Sequence, residues 1–236
     1  VGVPFVASAE PAPASSAATL SVEQRAWLDQ HGPLRVGLVL QAPYAQFDRR
    51  LQQLSGANVD LMNSLANTLQ VELLWRNFPD QAALEKAVGE GAVDLAPGLT
   101  QTPAGLRLWL FSDPYMRVPN LVVGERQGAG AVDLEKLDSS VRVAVRMPSA
   151  VADYLRGTYT HLNLQGVPLE RQALQLLLSQ QAKYAVIDEA QLSRLSIEPD
   201  FADLAVVGDI GLPQLLRVAS RKNLPELADI VSAALH

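Results

Sequence analysis

The chain contains no cysteine. Disulfides, cysteine-based metal sites and a cysteine nucleophile are therefore excluded. Histidine is nearly as scarce: His31, His161 and His236 lie far apart and in no ligand spacing such as HExxH. Neither a metal nor a cofactor is expected. Basic charge is also short, with 19 Lys and Arg against 25 Asp and Glu and a net charge of −6. That balance leaves no footprint for a nucleic-acid partner. No apolar run approaches the ~18 residues needed to span a bilayer. Phosphate loops and nucleophile elbows are missing as well. What remains is 236 residues, 48% of them hydrophobic, enough to bury a core as one large domain or two lobes.

The N-terminus is apolar and ends in small residues. Ala7-Ser-Ala9 fits the A-x-A cleavage pattern of a secretory leader, so residues 1–20 read as a leader remnant followed by a Pro/Ala/Ser-rich linker. Residues 21–32 read as a short preceding helix, with Ser21 as N-cap and Gln24 reaching back in a capping box.

After Pro33, strand and helix signals alternate. "LRVGLVL" (34–40) is a β-branched apolar run of the kind buried on both faces. "NVDLMNSLANTL" (58–69) places Val59, Met62, Leu65, Ala66 and Leu69 on one helical face. "VRVAVR" (141–146) alternates cleanly, and Ser149 is a good N-cap for the next helix. This order predicts an α/β protein with mainly parallel sheets. The pattern also divides into two similar halves, with "VDLAPG" (93–98) and "YAVID" (184–188) in equivalent places. Two small doubly wound sheets would hold a ligand in the crevice between them, beyond the carboxyl ends of their strands.

In order and spacing, "APYAQF", "GANVDLMNSLANTL", "VDLAPGLTQTP", "FSDPY", "VRVAVRMPS" and "YAVIDEAQL" resemble the family 3 extracytoplasmic solute-binding proteins. The opening "LSVEQRAWLDQHGPLRVGL" is similar to flytrap domains fused to histidine kinases or cyclic-di-GMP enzymes. The resemblance implies a two-lobed Venus flytrap with two hinge crossings. Lobe 1 would comprise residues 33–122 plus 213–236, and lobe 2 residues 123–212. It further implies a periplasmic sensor domain, tethered to the membrane in its parent protein and compatible with a homodimer. Such a domain would recognise a small polar solute and pass lobe closure on to a cytoplasmic signalling module. A free transporter-associated binding protein, a flytrap that binds nothing and a regulatory domain of an enzyme are the alternatives. No enzymatic activity is expected: Asp188 and Glu189 could form an acid/base pair, but neighbours at a strand end point opposite ways.

The resemblance also carries a ligand set. Tyr44 and Phe47 match the aromatic wall, although Phe47 could equally pack into its own lobe. Gly98, Thr100 and Thr102 match the polar loop. Members that bind amino acids carry Thr-x-x-Arg, but position 105 here is Gly105. Arg107, two residues on, would point about 200° away around a helix. Arg146 either replaces that clamp or lies on an exposed strand edge, and Ser149 offers a hydroxyl at a helix N-terminus. Glu189, with Asp188 before it, occupies the place of the acid that holds a ligand's amino group. The expected ligand is thus a compact cationic or amphoteric solute such as arginine or another basic amino acid.

Overall fold

The alternating segments fold as the patterning requires. The computed structural model describes residues 20–128 and 130–236; the expected leader remnant and most of the linker lie outside them. The elements run α1 (Val22–His31), β1 (Leu34–Val39), β2 (Gln46–Asp48), β3 (Gln53–Ser55), α2 (Ala57–Leu69), β4 (Leu73–Phe78), α3 (Gln81–Gly89), β5 (Leu95–Leu99) and β6 (Trp109–Phe111). They continue with β7 (Met116–Glu125), β8 (Arg142–Arg146), α4 (Ala150–Thr158), β9 (Asn163–Val167), α5 (Glu170–Leu178), β10 (Tyr184–Asp188), α6 (Glu189–Leu195), β11 (Leu204–Arg221) and α7 (Pro225–Ala234). None of the described helices is long and apolar enough to cross a membrane.

Two lobes are covered on both sheet faces. In the first, β1 pairs in parallel with β4 and β5. Leu28 of α1, Met62 and Leu65 of α2 and Ile230 of α7 cover one face, and Leu84 and Val88 of α3 the other. In the second, β8 lies in parallel between β9 and β10. Its clean alternation sends Val143 and Val145 towards α4 and Ala144 towards α5.

The lobes are joined by β7 and β11, which run antiparallel from one sheet into the other and keep the hydrogen-bonded strand path unbroken. Their register slips between Asp209 and Pro213, where the chain passes between lobes. Asn120, placed by the expected bounds in lobe 1, already pairs with Asp188 of the second sheet. A single long strand, β11, spans both "LAVVGDI" and "LLRVASR". The hairpin β2–β3, the short β6 and helix α6 carry signals too brief to read from periodicity.

Helix α1 forms its capping box as the sequence indicates, and its last residue, His31, lies against a buried polar cluster of lobe 1. Asp94, fully buried, accepts from the Arg35 backbone N–H at 2.9 Å and from Arg35 Nη2 at 2.9 Å. Arg221 Nη2 of β11 lies 3.3 Å away and His31 Nε2 at the end of α1 3.5 Å away. Burial opposes ionisation of Asp94, but the Arg35 hydrogen bonds outweigh it and hold the carboxyl below its ordinary value.

Asp94→Asn leaves two arginines facing an uncharged group, and should cost about 3 kcal/mol of unfolding free energy at neutral pH, measurable by denaturant titration. Because the folded-state pKa is depressed, this contribution is present above the ordinary value of 3.8. It is lost as pH falls through the lower folded value, so wild type and variant should converge in acid.

Candidate functional site

The cleft is built from the turn after β1 in lobe 1 and the start of α6 in lobe 2. Helix α2 has no side-chain cap; its first amides donate instead to carbonyls of the turn, Ala57 N–H to Pro43 at 3.4 Å and Asn58 N–H to Tyr44 at 2.8 Å. A Cβ on Gly56 would lie 2.4 Å from the Tyr44 carbonyl oxygen, and Gly56 has φ 117°. Only glycine permits that approach. Tyr44 is thereby fixed and buried, packed on Val118 and Leu216 of the hinge strands and on Ala190 of α6.

Its hydroxyl crosses to the other lobe. Tyr44 OH donates to Asp188 Oδ1 at 2.7 Å. Asp188 is the N-cap of α6, accepting from the Gln191 backbone N–H at 3.0 Å and from Gln191 Nε2 at 2.7 Å. Gln191 Nε2 also lies 3.5 Å from Gln41 Oε1 of lobe 1. Burial first, then the negative charge of Asp188, pushes the Tyr44 phenol well above its ordinary value, so the group stays a donor. A hydrogen bond within the protein thus holds the two lobes together.

Behind this contact lies a second buried pair. Arg146 Nε, at the end of β8, approaches Glu170 Oε1 of α5 to 2.7 Å. The N–H is not aligned for a hydrogen bond and Glu170 Oε2 has no donor, so the contact is an ion pair alone. Burial raises the Glu170 pKa, and Arg146 partly offsets it.

Between the lobes remains a cavity of about 150 Å3, lined among others by Thr100, Asn120, Arg146, Ser149 and Arg217. A larger depression of about 500 Å3 lies on the outer end of lobe 2. It draws on one lobe only, so closure would not be felt there, and the interlobe cavity is the better candidate.

The structure brings Thr100, Arg146 and Ser149 to this cavity; Tyr44 and Asp188 are not in its lining but meet each other across the lobes, and Asp188 is the strand partner of the cavity-lining Asn120. Ser149 caps α4, accepting from Ala152 N–H at 3.0 Å and donating to the Arg146 carbonyl at 2.6 Å, so its hydroxyl is engaged. Gly98 has φ 75°, and a Cβ there would strike Asn58 Nδ2 at 2.3 Å. Its part is to shape the loop. Thr102 Oγ1 accepts from Gly105 N–H at 2.8 Å, closing its own turn rather than lining the cavity.

Two expectations are corrected. Glu189 is the first residue of α6 and is exposed, because the helix begins directly after Asp188; the acid at the lobe contact is Asp188, one position earlier. Phe47 sits on β2, 39% exposed, and neither forms a wall of the cavity nor packs into its lobe's core. Arg107 is exposed in a short 3-10 turn. Arg217 was not among the expected residues. Its only signal in the sequence is a charge in the middle of the apolar run "LLRVASR".

The family model of the bacterial extracellular solute-binding proteins, family 3, matches residues 34–236. Among solved structures, the periplasmic VFT2 domain of BvgS from Bordetella pertussis superposes with a TM-score of 0.83 at 22% identity, over 92% of each chain. A histidine kinase sensor domain with similarity to periplasmic binding proteins gives 0.77 at 25% identity, over 88% of this chain and 90% of that one. An ancestral arginine-binding protein bound to arginine gives 0.75 at 24%, over 86% and 91%. No curated protein matches the sequence.

Replacing Tyr44 by Phe keeps the packed ring and deletes the bond between lobes. A hydrogen bond to a charged group is worth about 1.5–3 kcal/mol, so Tyr44→Phe should speed amide hydrogen exchange around residues 41–45 and 188–192 about ten- to a hundredfold. Exchange at α3, remote from the contact, should stay unchanged.

Proposed function

We propose that this chain, which belongs to the bacterial extracellular solute-binding proteins, family 3, is the extracytoplasmic sensor domain of a membrane signalling protein. Its two lobes would close on a small polar solute. The observation that carries this reading is the cavity walled by both lobes beside a bond that already joins them. A solute placed there contacts each lobe and shifts the balance between open and closed forms by its differential affinity. Similarity to the BvgS VFT2 domain and to a histidine kinase sensor domain supports a sensing role and favours a kinase output over a cyclic-di-GMP one. In this reading β7 and β11 are the hinge, and α7, which follows β11 and packs on α1 and α2, carries the change onward.

An arginine-binding protein among the similar structures supports amino-acid size, and a basic amino acid would need an acid to meet its ammonium group. Asp188, however, is held by Tyr44 and Gln191, and Glu189 faces solvent. The cavity itself is smaller than the roughly 300 Å3 at which ordinary ligand sites begin. These features favour a solute smaller than arginine. The reading is of a binder rather than an enzyme, since Asp188 and Glu189 face different surroundings.

A free transporter-associated binding protein would share the same cleft. The encoding gene separates the two: a membrane-spanning segment and signalling domain after residue 236 support the sensor, and a stop codon there would leave the transporter reading. A thermal-shift series over small carboxylates, amino acids and polyamines checks binding itself. One chemical class should raise the melting temperature in a concentration-dependent way, and no shift from any class would contradict solute sensing.

A further inference from the structure

We propose that the interlobe cavity is a site for a small monocarboxylate, with Arg217 supplying the charge that position 105 does not carry. This deepens the solute-sensing reading above and rests on it.

Position 105 has no room for a side chain. Gly105 is buried, and a Cβ built on it would meet Thr102 Oγ1 at 2.9 Å and the Phe111 ring at 3.1 Å. An arginine in this place would have to displace Phe111. The space directly beside that backbone is taken by Thr102 and Phe111.

Arg217 reaches the same end of the cleft from another strand. Its Cα is the partner of Leu99 in β5, directly before Thr100, and its side chain lines the cavity together with Thr100, Arg146 and Ser149. Nη1 donates to the Ser112 carbonyl at 2.9 Å, which fixes the guanidinium. Among the described residues no carboxylate lies within ion-pair distance of it. A half-buried guanidinium without a counter-ion is poorly solvated, and a ligand anion relieves that state. Arg146 is in a different position, because Glu170 already compensates it at 2.7 Å. The cavity lining contains no acidic residue, so the uncompensated charge is one positive unit. That suits a single negative charge.

The rest of the cavity narrows the class. Ala150 and Val151, in the first turn of helix α4, line the cavity, and first-turn amides have no acceptor within their own helix. Carboxylate oxygens can thus be shared between Arg217 of lobe 1 and α4 of lobe 2, which makes the ligand a bridge across the cleft. At ~30 Å3 per water-sized unit, the volume of about 150 Å3 admits a solute of about five non-hydrogen atoms, a carboxylate of two or three carbons. An α-ammonium group on that solute would find no acid, since Asp188 is turned to Tyr44 and Gln191. The site should therefore prefer a carboxylate without an amine over the matching amino acid.

Calorimetric titration of the intact domain with acetate, propionate, lactate and pyruvate, set against glycine, alanine, chloride and phosphate, tests this. At least one of the four carboxylates should bind, and propionate should bind at least tenfold more tightly than alanine. Arg217→Gln should weaken that binding about ten- to a hundredfold, Arg217→Lys less, and Arg107→Gln not at all. Thermal unfolding of the two Arg217 variants without solute, unchanged from wild type, shows that the loss is local. Tighter binding of alanine or glycine overturns the monocarboxylate assignment while leaving solute sensing intact, as does equal binding of chloride or phosphate. Undiminished binding in both Arg217 variants overturns the role of that residue. Binding of none of the solutes, together with a flat thermal-shift series, overturns the sensing reading along with it.

Discussion

The hydrogen bond from Tyr44 to Asp188 sets the conformation on which the rest of the cleft depends. It joins a turn of lobe 1 to a helix start of lobe 2, and both ends are held by their own lobe before they meet. Helix α2 grips the Tyr44 carbonyl, with Gly56 allowing the approach; Asp188 is fixed by two donors of Gln191. Neither group reorganises much to form the bond, so most of its strength acts on the separation of the lobes. The strands β7 and β11 run through both lobes, and Asn120 Nδ2 donates to the Leu212 carbonyl at 3.0 Å where they cross between them.

A protein of this shape that closes on its own contact treats its ligand differently from one that waits open. A solute bound as proposed would not have to supply all of the closing free energy. It would deepen a state that the Tyr44–Asp188 bond already favours, and a modest differential affinity would then suffice. The same contact also decides chemistry. By occupying Asp188, Tyr44 withdraws the acid that a cationic solute would need, and the remaining charge in the cavity is that of Arg217.

Much of this architecture was legible in the sequence. The alternation in "VRVAVR", the helical face of "NVDLMNSLANTL" and the capping box at Ser21 and Gln24 each specify one local structure, and each formed as read. The site was less legible because its details depend on counts of a single residue. Helix α6 starts without a loop after β10, so Asp188 rather than Glu189 turns inward. No periodicity marks such a junction. Phe47 belongs to a three-residue strand paired only with its own hairpin, which is too short to show alternation. Arg217 was hidden for the opposite reason. It lies within a strong strand signal, where a single charge reads as an exposed position, and only the pairing of β11 with β5 brings it to Thr100.

The Tyr44–Asp188 bond should join the lobes when no solute is present. The chain has no cysteine, so Ala82→Cys on α3 and Gln175→Cys on α5, both exposed, would be the only sites for spin labels. The distance distribution between them, measured by pulsed electron resonance on solute-free protein, reports lobe separation directly. A population at the separation of the closed form is expected already without solute, and a solute that binds should enlarge it at the expense of longer distances. A solute-free distribution confined to longer distances, reaching the closed separation only when solute is added, would contradict a bond that joins the lobes by itself.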